Sequence, residues 1–127
     1  MNIIAFAYAF GIFLAITYLI SSYEKLSDFK GNLAWMKPHF SNSILKNTVP
    51  LSLGILVFFE VVTAITSLAG LITLYTSQNT TYIHYANISN LISLFLMLIA
   101  QRLAKDFDGA RTIVIYLIPS LIALLVL

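Results

Sequence analysis

The sequence contains no cysteine. That excludes disulfides, thiolate nucleophiles, Cys-ligated zinc and iron–sulfur clusters, and dithiol redox chemistry. Charge is nearly as scarce: 9% of the 127 residues are Asp, Glu, Lys or Arg, against about 25% in a soluble domain. So few charges cannot cover a water-facing surface, and the solvent implied is lipid. A formal charge of +2, with no basic face carrying interleaved aromatics, excludes nucleic acid as a partner. No nucleotide-binding loop, zinc motif, acyl-transfer triad or dinucleotide fingerprint is present. The N-terminus has neither a basic leader nor a small-residue cleavage site, so the first apolar run is expected to remain in the mature protein.

What is abundant is apolar sequence. The chain is 60% hydrophobic, with a mean hydropathy of +0.93. Four runs reach the ~20 residues that a spanning helix needs. They predict an all-α, polytopic membrane protein: one domain over 1–127, a four-helix bundle with helices at about 2–26, 49–76, 82–101 and 109–127. Between Lys46 and Arg102 there is no Lys, Arg or Asp, and Glu60 is the only formal charge. A lone carboxyl in a spanning helix is costly unless the bundle satisfies it. The other helices are therefore expected to pack around Glu60.

Spacing gives each helix an inner face. On the first, Tyr8, Gly11, Ala15, Tyr18, Ser22 and Lys25 recur every three or four residues. On the second, Leu56, Glu60, Thr63, Ser67, Gly70 and Leu74 do the same. Small and hydroxyl-bearing residues let helices approach closely in lipid. On the third, Asn87, Asn90 and Gln101 fall within about 60° of one another at 3.6 residues per turn. Glu60 and Asn90 each lie roughly 15–17 Å from the charged end, at matched depth near mid-bilayer. Pro50 suits the first turn of the second helix after Asn47 or Thr48. Asp108 is the expected N-cap of the last helix, and Pro119 is expected to bend it. In the polar stretch 23–48, Gly31-Asn32 and Lys37-Pro38 read as helix breakers. Trp35 there fits either an anchor at the headgroup level or an ordinary ordered loop.

All seven Lys and Arg lie in two loops at one end, Lys25, Lys30, Lys37 and Lys46 in the first and Arg102, Lys105 and Arg111 in the second. The positive-inside rule puts loops 23–48 and 102–111 in the cytoplasm and both termini outside. Glu60 has two readings. One is a proton carrier or a ligand for a cation, quinone or substrate. The other is a structural carboxyl bonded to Asn90, Tyr18, Thr63 or the Lys25 ammonium. Asn87 and Asn90 read as interhelical glue or as ligands, and Tyr8 and Tyr18 as packing with satisfied hydroxyls. His84 has no His or carboxylate partner at ligand spacing, so no metal is expected. Arg102, Lys105, Asp106, Asp108 and Arg111 read as a loop network closing the last hairpin, or as a contact for lipid headgroups or a partner.

Several of these residues together resemble the DoxX family of small bacterial four-helix membrane proteins. The likeness rests on Lys25 and Asp28-Phe29 at the end of the first helix, then Pro50, Glu60 and Gly70. The clearest segment is RLAKDFDGAR at Arg102–Arg111. The resemblance implies a bacterial inner-membrane protein without catalytic activity of its own. The family is named for a subunit associated with a terminal quinol oxidase, and related groups include small subunits of thiosulfate:quinone oxidoreductase. Other relatives assist maturation of client proteins. Three functions follow as expectations. The first is an accessory or structural subunit of a larger membrane complex, quinone- or respiration-linked, with a larger partner or a homo-oligomer. The second is a small proton-coupled transporter or channel centred on Glu60. The third is a membrane assembly factor or chaperone. The absent cysteines depart from any thiol-based role.

Overall fold

The computed structural model describes residues 2–127, and every described regular element is helical. Five helices form: α1 Ile3–Ser27, α2 Phe29–His39, α3 Val49–Ser77, α4 Thr81–Leu103 and α5 Phe107–Val126. Four of them, α1, α3, α4 and α5, are long and apolar enough to cross a membrane. The protein is thus an all-α, polytopic, four-span bundle.

The helix ends follow from local chemistry. Asn2 caps α1 by accepting from the Ala5 N–H at 3.0 Å. Asp28 ends α1 and caps α2, its Oδ1 accepting from the Gly31 N–H at 3.1 Å. The break anticipated at Gly31-Asn32 therefore does not occur. Gly31 and Asn32 lie in the first turn of α2, and the Asn32 amide donates to the Asp28 carbonyl at 2.8 Å. Pro38 is also inside α2, one residue from its end, where a missing N–H interrupts little. Thr48 precedes α3 without a side-chain capping bond; Pro50 occupies the first turn. Gln78, with φ 52°, ends α3 in the left-handed conformation and returns its N–H to the Leu74 carbonyl. The cap of α5 is Asp106, not Asp108: Asp106 Oδ1 accepts from the Gly109 N–H at 3.0 Å. Asp108 instead sits in the first turn, where a carboxylate favours the helix dipole.

The spans pack as a row. α3 lies between α1 and α4, α5 packs on α4, and α1 scarcely meets α5. The α3 seam faces inward: Glu60, Thr63, Ser67, Gly70 and Leu74 are buried. Ile55, Phe58, Ile65 and Ile72 cover the opposite side and remain exposed to lipid. An apolar cluster including Phe10, Leu14, Leu74 and Ile83 fills the uncharged end, and a smaller one of Leu91, Leu94, Ile113 and Leu117 joins α4 to α5. The closest approach is at Gly70, where a Cβ would stand 2.9 Å from the backbone nitrogen of Ile83. At Gly54 a Cβ would meet nothing within 4 Å.

Gly70→Ala is therefore expected to lower stability in detergent by about 1–3 kcal/mol, the usual cost of overpacking. Gly54→Ala should leave stability unchanged or raise it by up to about 1 kcal/mol through helix propensity. Denaturant titration followed by circular dichroism checks this; equal stabilities would contradict the tight α3–α4 crossing.

Candidate functional site: a polar core between the spans

Glu60 is 1% exposed. Its Oε1 lies 3.2 Å from Lys25 Nζ. Ser21 completes a triangle: its hydroxyl donates to the Glu60 carboxylate at 3.1 Å and accepts from Lys25 Nζ at 2.6 Å. Ser21 and Lys25 are four residues apart on α1, so they share the face that meets α3. The Lys25 side chain keeps 21% of its surface exposed. Its stem can lie along apolar wall while the ammonium links the carboxyl to the headgroup level. Ser21 lies outside the seam read from the sequence; its place one turn before Lys25 is the signal that could have found it.

A second polar group joins α1, α4 and α5. The Tyr18 hydroxyl donates to Asn90 Oδ1 at 2.5 Å. The Asn90 amide donates to Asn87 Oδ1 at 3.0 Å and to Ser120 Oγ at 2.8 Å. Asn87 in turn donates to the Ser120 carbonyl at 2.9 Å, beside Pro119. Asn87, Asn90 and Ser120 are all buried. In hydrocarbon no water competes for these groups, so each must find its partner inside the protein. Thr63 belongs to a third contact: it donates to Ser89 Oγ at 2.8 Å, and Ser89 donates to the Phe59 carbonyl at 3.0 Å.

The structure thus brings Glu60 to Lys25, and Tyr18 to Asn90 and Asn87, while Thr63 stands apart with Ser89. Glu60 and Asn90, matched in depth, are not hydrogen-bonded to each other. Both line a cavity of about 360 Å³ that Tyr18, Ser21, Lys25 and Tyr116 also border. It lies where α1 and α5 fail to close. Ser89 and Ser120 are additions, since a lone Ser carries little sequence signal.

The loop residues make separate contacts. Arg111 pairs with Asp108 at 3.1 Å, both well exposed. Arg102 lies over the Phe107 ring, 5.2 Å from its centroid. Asp106 meets His39 of α2 at 3.4 Å, and His39 Nε2 also lies 3.2 Å from Gln101 Oε1. Lys105 is exposed, in the left-handed conformation at φ 59°. His84 Nδ1 is buried without a hydrogen-bond partner. Among the described residues no three His, Cys, Asp or Glu side chains are grouped as metal ligands would be.

No protein-family model, curated protein or solved structure matches the chain. Fold and site define its class directly: a small multi-pass membrane protein whose polar groups are drawn into the bundle.

Removing one partner of a buried ion pair leaves an uncompensated charge. Lys25→Met is expected to cost about 3 kcal/mol, at the low end of that range because Lys25 is partly exposed. Glu60→Gln should cost less, and the double variant should recover most of the Lys25→Met loss. A double-mutant cycle in detergent measures the coupling; additive effects would mean that the two side chains do not interact.

Proposed function

We propose that the protein is a DoxX-like accessory or structural subunit of a larger complex in the bacterial inner membrane. In this reading it is linked to quinone or respiratory chemistry and has no turnover of its own. Both charged loops face the cytoplasm and both termini the periplasm, following the charge bias of the loops. The observation carrying the proposal is the unclosed row of spans. α1 and α5 scarcely touch, and the cavity between them leads to Tyr18, Glu60 and Asn90. A helix from a larger partner, or from a second copy, would close that flank by van der Waals packing, the main force joining helices in lipid. The buried amides meanwhile spend their hydrogen bonds on one another, as structural groups do.

One observation favours a second reading, a proton-coupled transporter. The Glu60 carboxyl is joined through Ser21 to the partly exposed Lys25 ammonium. A continuous polar path from headgroup level to the buried carboxyl is what a proton carrier requires.

Purification in mild detergent, followed by reconstitution of the isolated chain into pH-gradient liposomes, separates the two. A stoichiometric larger partner on purification, with no flux from the isolated chain, is expected. Flux that Glu60→Gln abolishes, from a chain purified alone, would replace the subunit reading with the transporter.

A further inference from the structure

A second cavity, of about 330 Å³, lies at the charged end beneath α2. It shares only Lys25 with the polar core. Its roof is unusual: α2 has no buried residue at all. An amphipathic helix at headgroup level normally lays its apolar side into lipid or against protein. Here Trp35 and Met36 line the cavity instead. The far end of α2 is tied down by His39, which reaches Gln101 at the end of α4 and Asp106 at the cap of α5. The α2 helix therefore spans a space between α3 and α4 rather than packing into it.

The walls grade from polar to apolar with depth. Asn32, His39 and Gln101 border the cavity at the loop end; Ile55, Leu56 and Leu96 border it further in. From Val49 to Leu56 along α3 is about 10 Å at 1.5 Å per residue. The space thus starts at headgroup level and reaches about a third of the way through a ~30 Å hydrocarbon core. A guest with a polar end at the loops and an apolar end toward mid-bilayer has the orientation of a membrane lipid.

Charge selects among lipids. All seven Lys and Arg belong to this end, and they outnumber the five Asp and Glu. Glu60, Asp106 and Asp108 already have basic partners. Lys37 and Lys46 are exposed and adjoin the lining residues Met36 and Leu45. Neither is in a salt bridge among the described residues. Basic positions of this kind at a membrane face attract anionic headgroups.

We infer that this cavity is a binding site for an anionic phospholipid, with one acyl chain beneath α2 and the phosphate held at Lys37 and Lys46. The site is independent of whether the protein is a subunit or a transporter.

Trp35 is the only tryptophan, so its fluorescence reports on the site without labelling. The protein is reconstituted in phosphatidylcholine vesicles containing a small fraction of phosphatidylglycerol brominated on its acyl chains. A parallel series contains brominated phosphatidylcholine at the same fraction. Phosphatidylglycerol should quench Trp35 more strongly and saturate at low mole fraction. Lys37→Gln with Lys46→Gln should raise the half-saturating fraction about tenfold. Ala100→Phe or Ser52→Phe, each filling the cavity from a different helix, should reduce quenching to the phosphatidylcholine level. Equal quenching by the two lipids would overturn the inference. So would an advantage for phosphatidylglycerol that survives a folded cavity-filling variant, because the headgroup would then be held without a chain in the cavity. A photoreactive methionine analogue at Met36, used in native membranes, needs no filling variant. A lipid adduct is expected there, and an adduct to a polypeptide would assign the cavity to a protein partner and overturn the lipid site.

Discussion

The ion pair between Lys25 and Glu60 is the constraint on which the rest of the bundle depends. A charged side chain at the centre of a spanning helix costs about 2.5–3.5 kcal/mol on insertion scales. Glu60 is buried against α1 and not turned toward lipid. Its partner is the one cation near the end of α1, and Ser21 fills the gap between them. Once that contact is set, the helical register of α1 against α3 is set with it. Gly11 and Gly70 then lie against the Ile83 side chain. Polar pairing at one end and close packing at the other hold the same two helices in one alignment.

The α4–α5 side is organised differently. No formal charge is involved, and Tyr18, Asn87, Asn90 and Ser120 are joined by neutral hydrogen bonds. Such bonds between spans are individually modest, averaging about 0.6 kcal/mol where measured, because an unassembled helix in lipid also finds partners. Their value lies in direction. An amide that must meet a hydroxyl on one neighbour and a carbonyl on another admits few arrangements. The fold is therefore defined by where polar groups can be satisfied, since apolar burial does not drive helices together when the solvent is itself apolar.

Much of this was legible because the period of 3.6 residues converts sequence spacing into faces. The α3 seam from Glu60 to Leu74 could be read directly, and its residues are the buried ones. Depth could be read too, since rise per residue is constant. Azimuth between helices could not. Glu60 and Asn90 share a level yet take different partners, because α1 supplies both Lys25 and Tyr18 and stands between the two choices. The α2 helix was obscured by Gly31 and Pro38, residues whose breaking effect vanishes in a first or last turn. The cap of α5 was misplaced by two residues because Asp106 and Asp108 are equivalent by composition. Only the backbone decides which one reaches an unpaired N–H. The serines at 21, 89 and 120 left no signal, since a small hydroxyl is unremarkable until its neighbour is known.

The central claim concerns one distance, and it can be measured in a bilayer. Protein carrying ¹⁵N at Lys Nζ and ¹³C at Glu Cδ, reconstituted in lipid, would be subjected to rotational-echo double-resonance NMR. With Lys25 Nζ 3.2 Å from Glu60 Oε1, strong dephasing is predicted, and it should be lost in Glu60→Gln. Absence of dephasing in the parent protein, or dephasing unchanged in that variant, would show that the buried carboxyl and the α1 ammonium are not partners.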